Sequence, residues 1–201
     1  DGVDLSVTVG EVFCLLGPNG AGKSTTVEIL EGHRPRSSGE VSVLGYDPQT
    51  GGRPFREHIG IVLQQQAIED VLTVREAIEL YGSMFPKRRD PDELIGLVGL
   101  QAKAGKRIKT LSGGQKRRLE LAMGMAGDPD VLFLDEPTTG FDPSARRQAW
   151  TVVEGLASRG HHVTLVAAGG PYSRMWRLQQ DEARVEAERR DVEPESAGPG
   201  S

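Results

Sequence analysis

The sequence has 201 residues, 37% hydrophobic and 26% charged, with a formal net charge of −5. That length allows one domain with a real core, or a core with a small subdomain. The acidic balance, with Lys and Arg spread along the chain, argues against a nucleic-acid binder, which carries a basic face. No apolar run approaches the roughly 18 residues needed to cross a bilayer, and no signal-peptide pattern opens the sequence. The single cysteine, Cys14, cannot form an intramolecular disulfide. A reducing compartment is therefore expected, with Cys14 as a small buried hydrophobe.

In chain order, VFCLLG (12–17) predicts the first strand. VFCLL is apolar at every position, as expected for a parallel strand buried on both faces. It runs into GPNGAGKST (17–25), which fits G-x-x-x-x-G-K-[ST] and leads into a predicted helix, TTVEILEG (25–32). Glycines let the backbone wrap closely, so that N–H groups point inward at phosphate, and the helix start adds the positive end of its dipole. Gly17, Pro18, Asn19, Gly20, Ala21, Gly22, Lys23, Ser24 and Thr25 are therefore expected to bind a nucleotide. Lys23 would reach the β- and γ-phosphates, Ser24 would ligate Mg²⁺, and Thr25 would donate to the α-phosphate.

VSVLG (41–45) and IGIVLQ (59–64) predict further strands. TVREAIELYGSMF (73–85) and DPDELIGLVGL (90–100) predict two helices in succession, with Asp90 and Asp92 at a start where the dipole favours acids. Two successive helices break the strand–helix alternation and predict a helical insertion between core strands. LSGGQ (111–115) follows. Ser112 with Gln115 three residues on makes a capping box for a helix beginning at Gly113, and Leu119, Met123 and Ala126 give that helix one apolar face.

Two glycines at the first helical positions cost roughly 1 kcal/mol each relative to Ala. Such a cost makes sense where something must approach the backbone closely. A capped helix start with bare N–H groups is itself an anion site. This one lies on the insertion, away from GPNGAGKST. In a two-fold dimer each chain's LSGGQ could face the other chain's ATP.

VLFLDEP (131–137) ends a buried strand with Asp135 and Glu136. Carboxyl ends of parallel strands are where open α/β sheets place ligands. Asp135 can hold Mg²⁺, directly or through water, and Glu136 can accept a proton from an attacking water. SARRQAWTVVEGLA (144–157) predicts another helix; from about 170 a highly charged stretch predicts one exposed helix, then a disordered tail, EPESAGPGS.

Taken together, GPNGAGKST, the Gln64 of IGIVLQ, LSGGQ, VLFLDEP and GFDP (140–143) resemble the motif order of ATP-binding-cassette ATPases, over roughly residues 1–159. VEILEG, SGEVSVLGYDP, LTVREAIELYG and LDEPTTGFDP look most like ATPase subunits of drug-resistance and antibiotic exporters. The resemblance implies an α/β P-loop NTPase (RecA-like) core with a helical subdomain at about 66–127, and a divergent C-terminal segment over 160–201. Its N-terminal strands and last core strands would be incomplete. It also implies residue roles. Gln64 would contact Mg²⁺ or water and relay nucleotide state to a membrane partner. Ser112, Gly113, Gly114 and Gln115 would meet the γ-phosphate in trans, and Asp142 would sit at the dimer interface. Glu136, Gln64 and Lys23 would be catalytic, with Ser24, Gln64 and Asp135 at the metal.

The implied cofactors are ATP and Mg²⁺. The implied partners are a second copy or a paired ATPase and a transmembrane permease, with no nucleic acid. The implied location is the cytoplasmic inner face of the cell membrane. Two departures stand out. The family's adenine-stacking aromatic lies on strands ahead of DGVDLSVTVGE, which this sequence does not contain. The family's switch histidine belongs near Ala168 if VTLVAA (163–168) is the strand that precedes it. GHHVTLVAAGGPYSRMWRLQQ alternatively resembles the end of fused multidrug exporters, as after a deletion near Gly160. An impaired or nonhydrolytic ATP-binding module is the alternative function this raises.

Overall fold

The computed structural model describes residues 2–18, 20–62, 70–135, 153, 155 and 162–168. Residues 2–8 carry no regular secondary structure. A turn at Val9 and Gly10 feeds β1 (Val12–Gly17), which passes through the glycine loop to α1 (Lys23–Leu30). Then come α2 (Gly52–Arg56), β2 (Ile59–Val62), α3 (Val74–Gly82), α4 (Pro91–Leu97), α5 (Gly113–Gly124), β3 (Val131–Asp135) and β4 (His162–Ala168).

The strands form one sheet in the order β1-β4-β3-β2, each neighbouring pair parallel. Helices pack on both faces, and β3 shows the logic. Leu132 and Leu134 belong to a core shared with α3, α4 and α5, while Val131 and Phe133 belong to a second core with Val27 of α1 and Phe55 of α2. Alternate residues of a strand point to opposite faces, so a strand covered on both sides is apolar throughout. All four of these β3 side chains are buried. β1 is only half-buried along its length, because among the described residues it is an edge strand of the sheet.

The predicted helical insertion lies where expected in the chain: α3, α4 and α5 all fall between β2 and β3. Thr73 caps α3 with a complete capping box, and Asp90 caps α4 by accepting from Asp92 N, with Pro91 at the first helical position. α5 docks on β2 through a close backbone approach. A Cβ on Gly60 would lie 2.2 Å from the Gly124 carbonyl oxygen, so both elements need a bare glycine there.

Two expectations need correction. VSVLG is not a strand. Val43 and Tyr46 exchange both backbone hydrogen bonds, at 2.8 and 2.9 Å, around Leu44 (φ 54) and Gly45 (φ 81). That is a type I′ turn, in which both central residues have positive φ. The second correction concerns VTLVAA. It does form a core strand, and it sits between β1 and β3 with six paired positions on β1 and five on β3. That favours the reading of this run as the strand preceding the histidine position. The predicted helix at 144–157 is described only at Val153 and Gly155, both helical, with Val153 buried in the core. The charged stretch and tail beyond about 170 lie outside the described residues.

Candidate functional site

At the carboxyl end of β1 the chain leaves the sheet through a loop built on two left-handed glycines, Gly20 (φ 82) and Gly22 (φ 85). Gly22 is the N-cap of α1, and no side chain caps this helix start. The dipole of α1 and its first N–H groups therefore face outward, a ready anion site. Lys23 folds back over the loop and donates to the carbonyl oxygens of Gly17, at 2.7 Å, and Pro18, at 2.8 Å. The loop thus wraps around the ammonium and places a positive charge at its centre. Thr26 ties the helix start down by donating to Gly22 O at 3.0 Å, and Ala21 N donates to Pro18 O at 3.2 Å. Ser24 and Thr25 remain exposed.

The sheet register brings Asp135 to the same edge. Gly17 pairs with Ala168 and Asp135 with Val166, so β1 and β3 end at the same edge on either side of β4, with Asp135 two residues short of the level of Gly17. At two strand spacings of about 4.8 Å each, the ends of β1 and β3 stand at least roughly 10 Å apart across the sheet. His162 pairs with Val131 at the opposite end of β4. That is six residues, about 20 Å, from the site edge. The exposed Ser24 hydroxyl is an oxygen ligand of the kind a hard cation such as Mg²⁺ takes. Asn19, Gln64, Glu136, His161 and Asp142 lie outside the described residues.

LSGGQ folds as the capping box predicts. Ser112 Oγ accepts from Gln115 N at 3.3 Å, and Gln115 Oε1 accepts from Ser112 N at 3.0 Å. Leu119, Met123 and Ala126 are all buried. Gly113 and Gly114 have a different surrounding: a Cβ on either would meet nothing within 4 Å among the described residues. Neither has a positive φ, so the described residues give no reason for glycine at either position.

The basic run that follows is engaged within the chain. Lys116 pairs with Asp70 at 2.9 Å, Arg117 with Glu120 at 2.8 Å, and Arg118 donates to the carbonyls of Val98 and Gly99 at 3.2 Å. The Arg118 and Lys116 contacts anchor α5 to the end of α4 and to the segment entering α3, while the Arg117 pair lies within α5. Sequence reasoning missed the Lys116 and Arg118 contacts, because partners 19 to 46 positions apart leave no local pattern. It also missed Arg34, which reaches Thr25 Oγ1 at 3.0 Å.

Cys14, on β1 just before the loop, is half-buried, and burial pushes its thiol up to about 11. The neutral thiol therefore dominates near neutral pH and is a poor nucleophile, consistent with a packing role. Among the described residues no group of three or more His, Cys, Asp or Glu is placed to hold a metal ion, and no helix is long and apolar enough to cross a membrane.

A glycine loop wrapped round a lysine, at the carboxyl edge of a parallel sheet covered on both faces, defines a P-loop nucleotide-binding fold. The ABC transporter family model matches residues 1–139, and this chain belongs to that family. The Nod factor export ATP-binding protein I of Neorhizobium galegae is 43% identical over 170 residues, which cover 82% of this chain and 49% of that protein. Its namesake in Burkholderia pseudomallei (strain 1710b) is 40% identical over 170 residues, covering 82% of this chain and 56% of its own. The chain spans about half the length of these curated relatives. Among solved structures, a dimeric ATP-binding cassette in a post-hydrolysis state bound to ADP and Pi superposes with a TM-score of 0.73 at 25% identity, covering 83% of this chain and 78% of that one. An ATP-binding subunit of an ABC transporter superposes with a TM-score of 0.72 at 23% identity, covering 82% of this chain and 70% of that one, and supports the fold alone.

Proposed function

We propose that this chain is the ATP-binding and ATP-hydrolysing cassette of an exporter, and that it pairs with a second cassette so that each LSGGQ closes the other's nucleotide site. The observation that carries this reading is the mismatch at Gly113 and Gly114. They sit at an exposed, capped helix start, and nothing in the described chain needs them to be glycine. A phosphate arriving from outside gives the reason: a bare backbone lets it approach the N–H groups. In this reading Gly17 to Thr25 cradle the triphosphate, with Lys23 as its central charge. Ser24, Gln64 and Asp135 would hold Mg²⁺, which would neutralise the phosphates when bound. Glu136 accepts the proton of the attacking water, and Asp142 contributes to the interface.

The names of the curated relatives support an export role, and the dimeric neighbour supports pairing. The cassette we assign runs from 1 through β4, past the 159 expected from sequence, because His162–Ala168 pairs with both β1 and β3; its helical subdomain is at about 66–127, and a separate C-terminal segment follows. A transmembrane permease on the cytoplasmic face would receive the motion. Val71, Leu80 and Met84 leave apolar surface exposed on or beside α3, as such a docking face requires.

The test mixes two inactive variants. Lys23→Ala removes the loop's charge, and Gly113→Asp blocks the helix start without touching the chain's own packing. A mixed dimer of the two contains one site with an intact loop and an intact partner tip. Recovery of ATPase activity on mixing is the expected result. No recovery, with each variant folded and mixed dimers detected, contradicts a site shared between copies.

A further inference from the structure

Arg34 reaches the same helix start as the phosphate loop, and no motif assigns it a part. α1 ends at Leu30, and the chain reverses at Gly32 (φ 76). Only glycine fits that turn. A Cβ there would lie 2.4 Å from the Pro48 carbonyl oxygen, in a backbone conformation that side chains disfavour. The reversal is closed by His33 N and Arg34 N, which both donate to the Glu28 carbonyl at 2.8 and 3.0 Å. It sends the Arg34 side chain back along the helix it has just left. The guanidinium lies 3.1 Å from Glu28 Oε2 and donates to Thr25 Oγ1 at 3.0 Å. Thr25 and Glu28 are three residues apart and share a helix face, so Arg34 bridges both. Half of its side-chain surface, 51%, stays exposed.

The chemistry of this bridge is directional. A guanidinium only donates. Its N–H occupies a lone pair of the Thr25 oxygen, which leaves the hydroxyl proton to be given to something beyond. Hydrogen bonds in a chain polarise one another, so this hydroxyl is a better donor than an isolated one. A guanidinium that stays protonated stands one bond behind it, and Glu28, 3.1 Å away, fixes its orientation while offsetting part of its charge. A strengthened donor backed by a cation, beside a loop that wraps a lysine, recognises an anion.

We propose that Arg34 is a positioning residue of the nucleotide site: acting through Thr25, it presents a hydroxyl donor and a fixed positive charge to the α-phosphate of a bound nucleoside triphosphate. The proposal rests on the phosphate-loop reading of Gly17 to Thr25.

The test measures equilibrium ATP affinity of the full chain by calorimetry, with thermal melting of each variant beside it. Arg34→Ala should weaken ATP binding about 5- to 30-fold, the loss expected for one charge-assisted contact, without lowering the melting temperature. Arg34→Lys should recover part of the loss, because it keeps the charge without the fork. In a Thr25→Val background, Arg34→Ala should add little, since the two act as one unit. Unchanged affinity in Arg34→Ala, while Lys23→Ala abolishes binding, overturns the role of Arg34 and leaves the loop reading standing. Full losses in both backgrounds overturn the action through Thr25. Undiminished ATP binding in Lys23→Ala removes the loop reading itself, and the proposal with it.

Discussion

Glycines in this chain answer to two different causes. Gly20, Gly22 and Gly32 have positive φ, and Gly60 and Gly124 lie where a Cβ would strike backbone or a packed side chain. Their identity is explained from within the fold. Gly113 and Gly114 meet neither condition. Replacing either with alanine should therefore leave the isolated chain as stable or raise its stability by up to about 1 kcal/mol, since alanine is the better helix former. The same change should sharply reduce ATP turnover or nucleotide-driven pairing. Denaturant melts and an ATPase assay on one preparation check both halves. A variant that loses stability and activity together would point to an ordinary packing role.

At the scale of elements, helix starts carried the plainest sequence signals. The S-x-x-Q of α5 and the T-x-x-E of α3 both form complete capping boxes, because the two reciprocal bonds need only residues three apart. The Glu76 carboxylate accepts from Thr73 N at 2.8 Å, and that backbone hydrogen bond holds its pKa below the usual carboxylate value. A depressed pKa stabilises the fold fully above the ordinary glutamate value of about 4.3, and the gain disappears as pH falls through the lower folded value. Glu76→Gln keeps a neutral acceptor. Its melting temperature should fall short of the original chain's near neutral pH and converge with it in acid. A gap that persists unchanged in acid would contradict the assignment.

Other elements were less legible. VSVLG has strand composition, yet two successive positive-φ residues close it into a turn, and the choice of Leu44 for one of them carries no warning in the sequence. VTLVAA looked ambiguous because its flanks resemble another branch of the family. Pairing with β1 and β3 makes it a core strand, and strand pairing is a long-range property. The glycine loop between β1 and α1 was visible in the sequence because its pattern is local, with Gly20 and Gly22 taking the positive φ such a turn needs. Arg34 was not, because the turn at Gly32 that returns it to Thr25 depends on contact with Pro48.

For the whole molecule, the parallel sheet sets the geometry on which function depends. Its carboxyl edge gathers the glycine loop, the end of β4 and Asp135. LSGGQ opens α5, within the segment between β2 and β3. Two anion-receptive helix starts built into separate parts of one chain make most sense if the second serves another copy. The direct measurement is the solution mass of the Glu136→Gln form, by sedimentation or small-angle scattering, with and without saturating Mg-ATP. That substitution should halt hydrolysis and trap the closed pair, so the mass should double when ATP is added. A particle that remains monomeric while binding ATP at full occupancy would contradict the shared site.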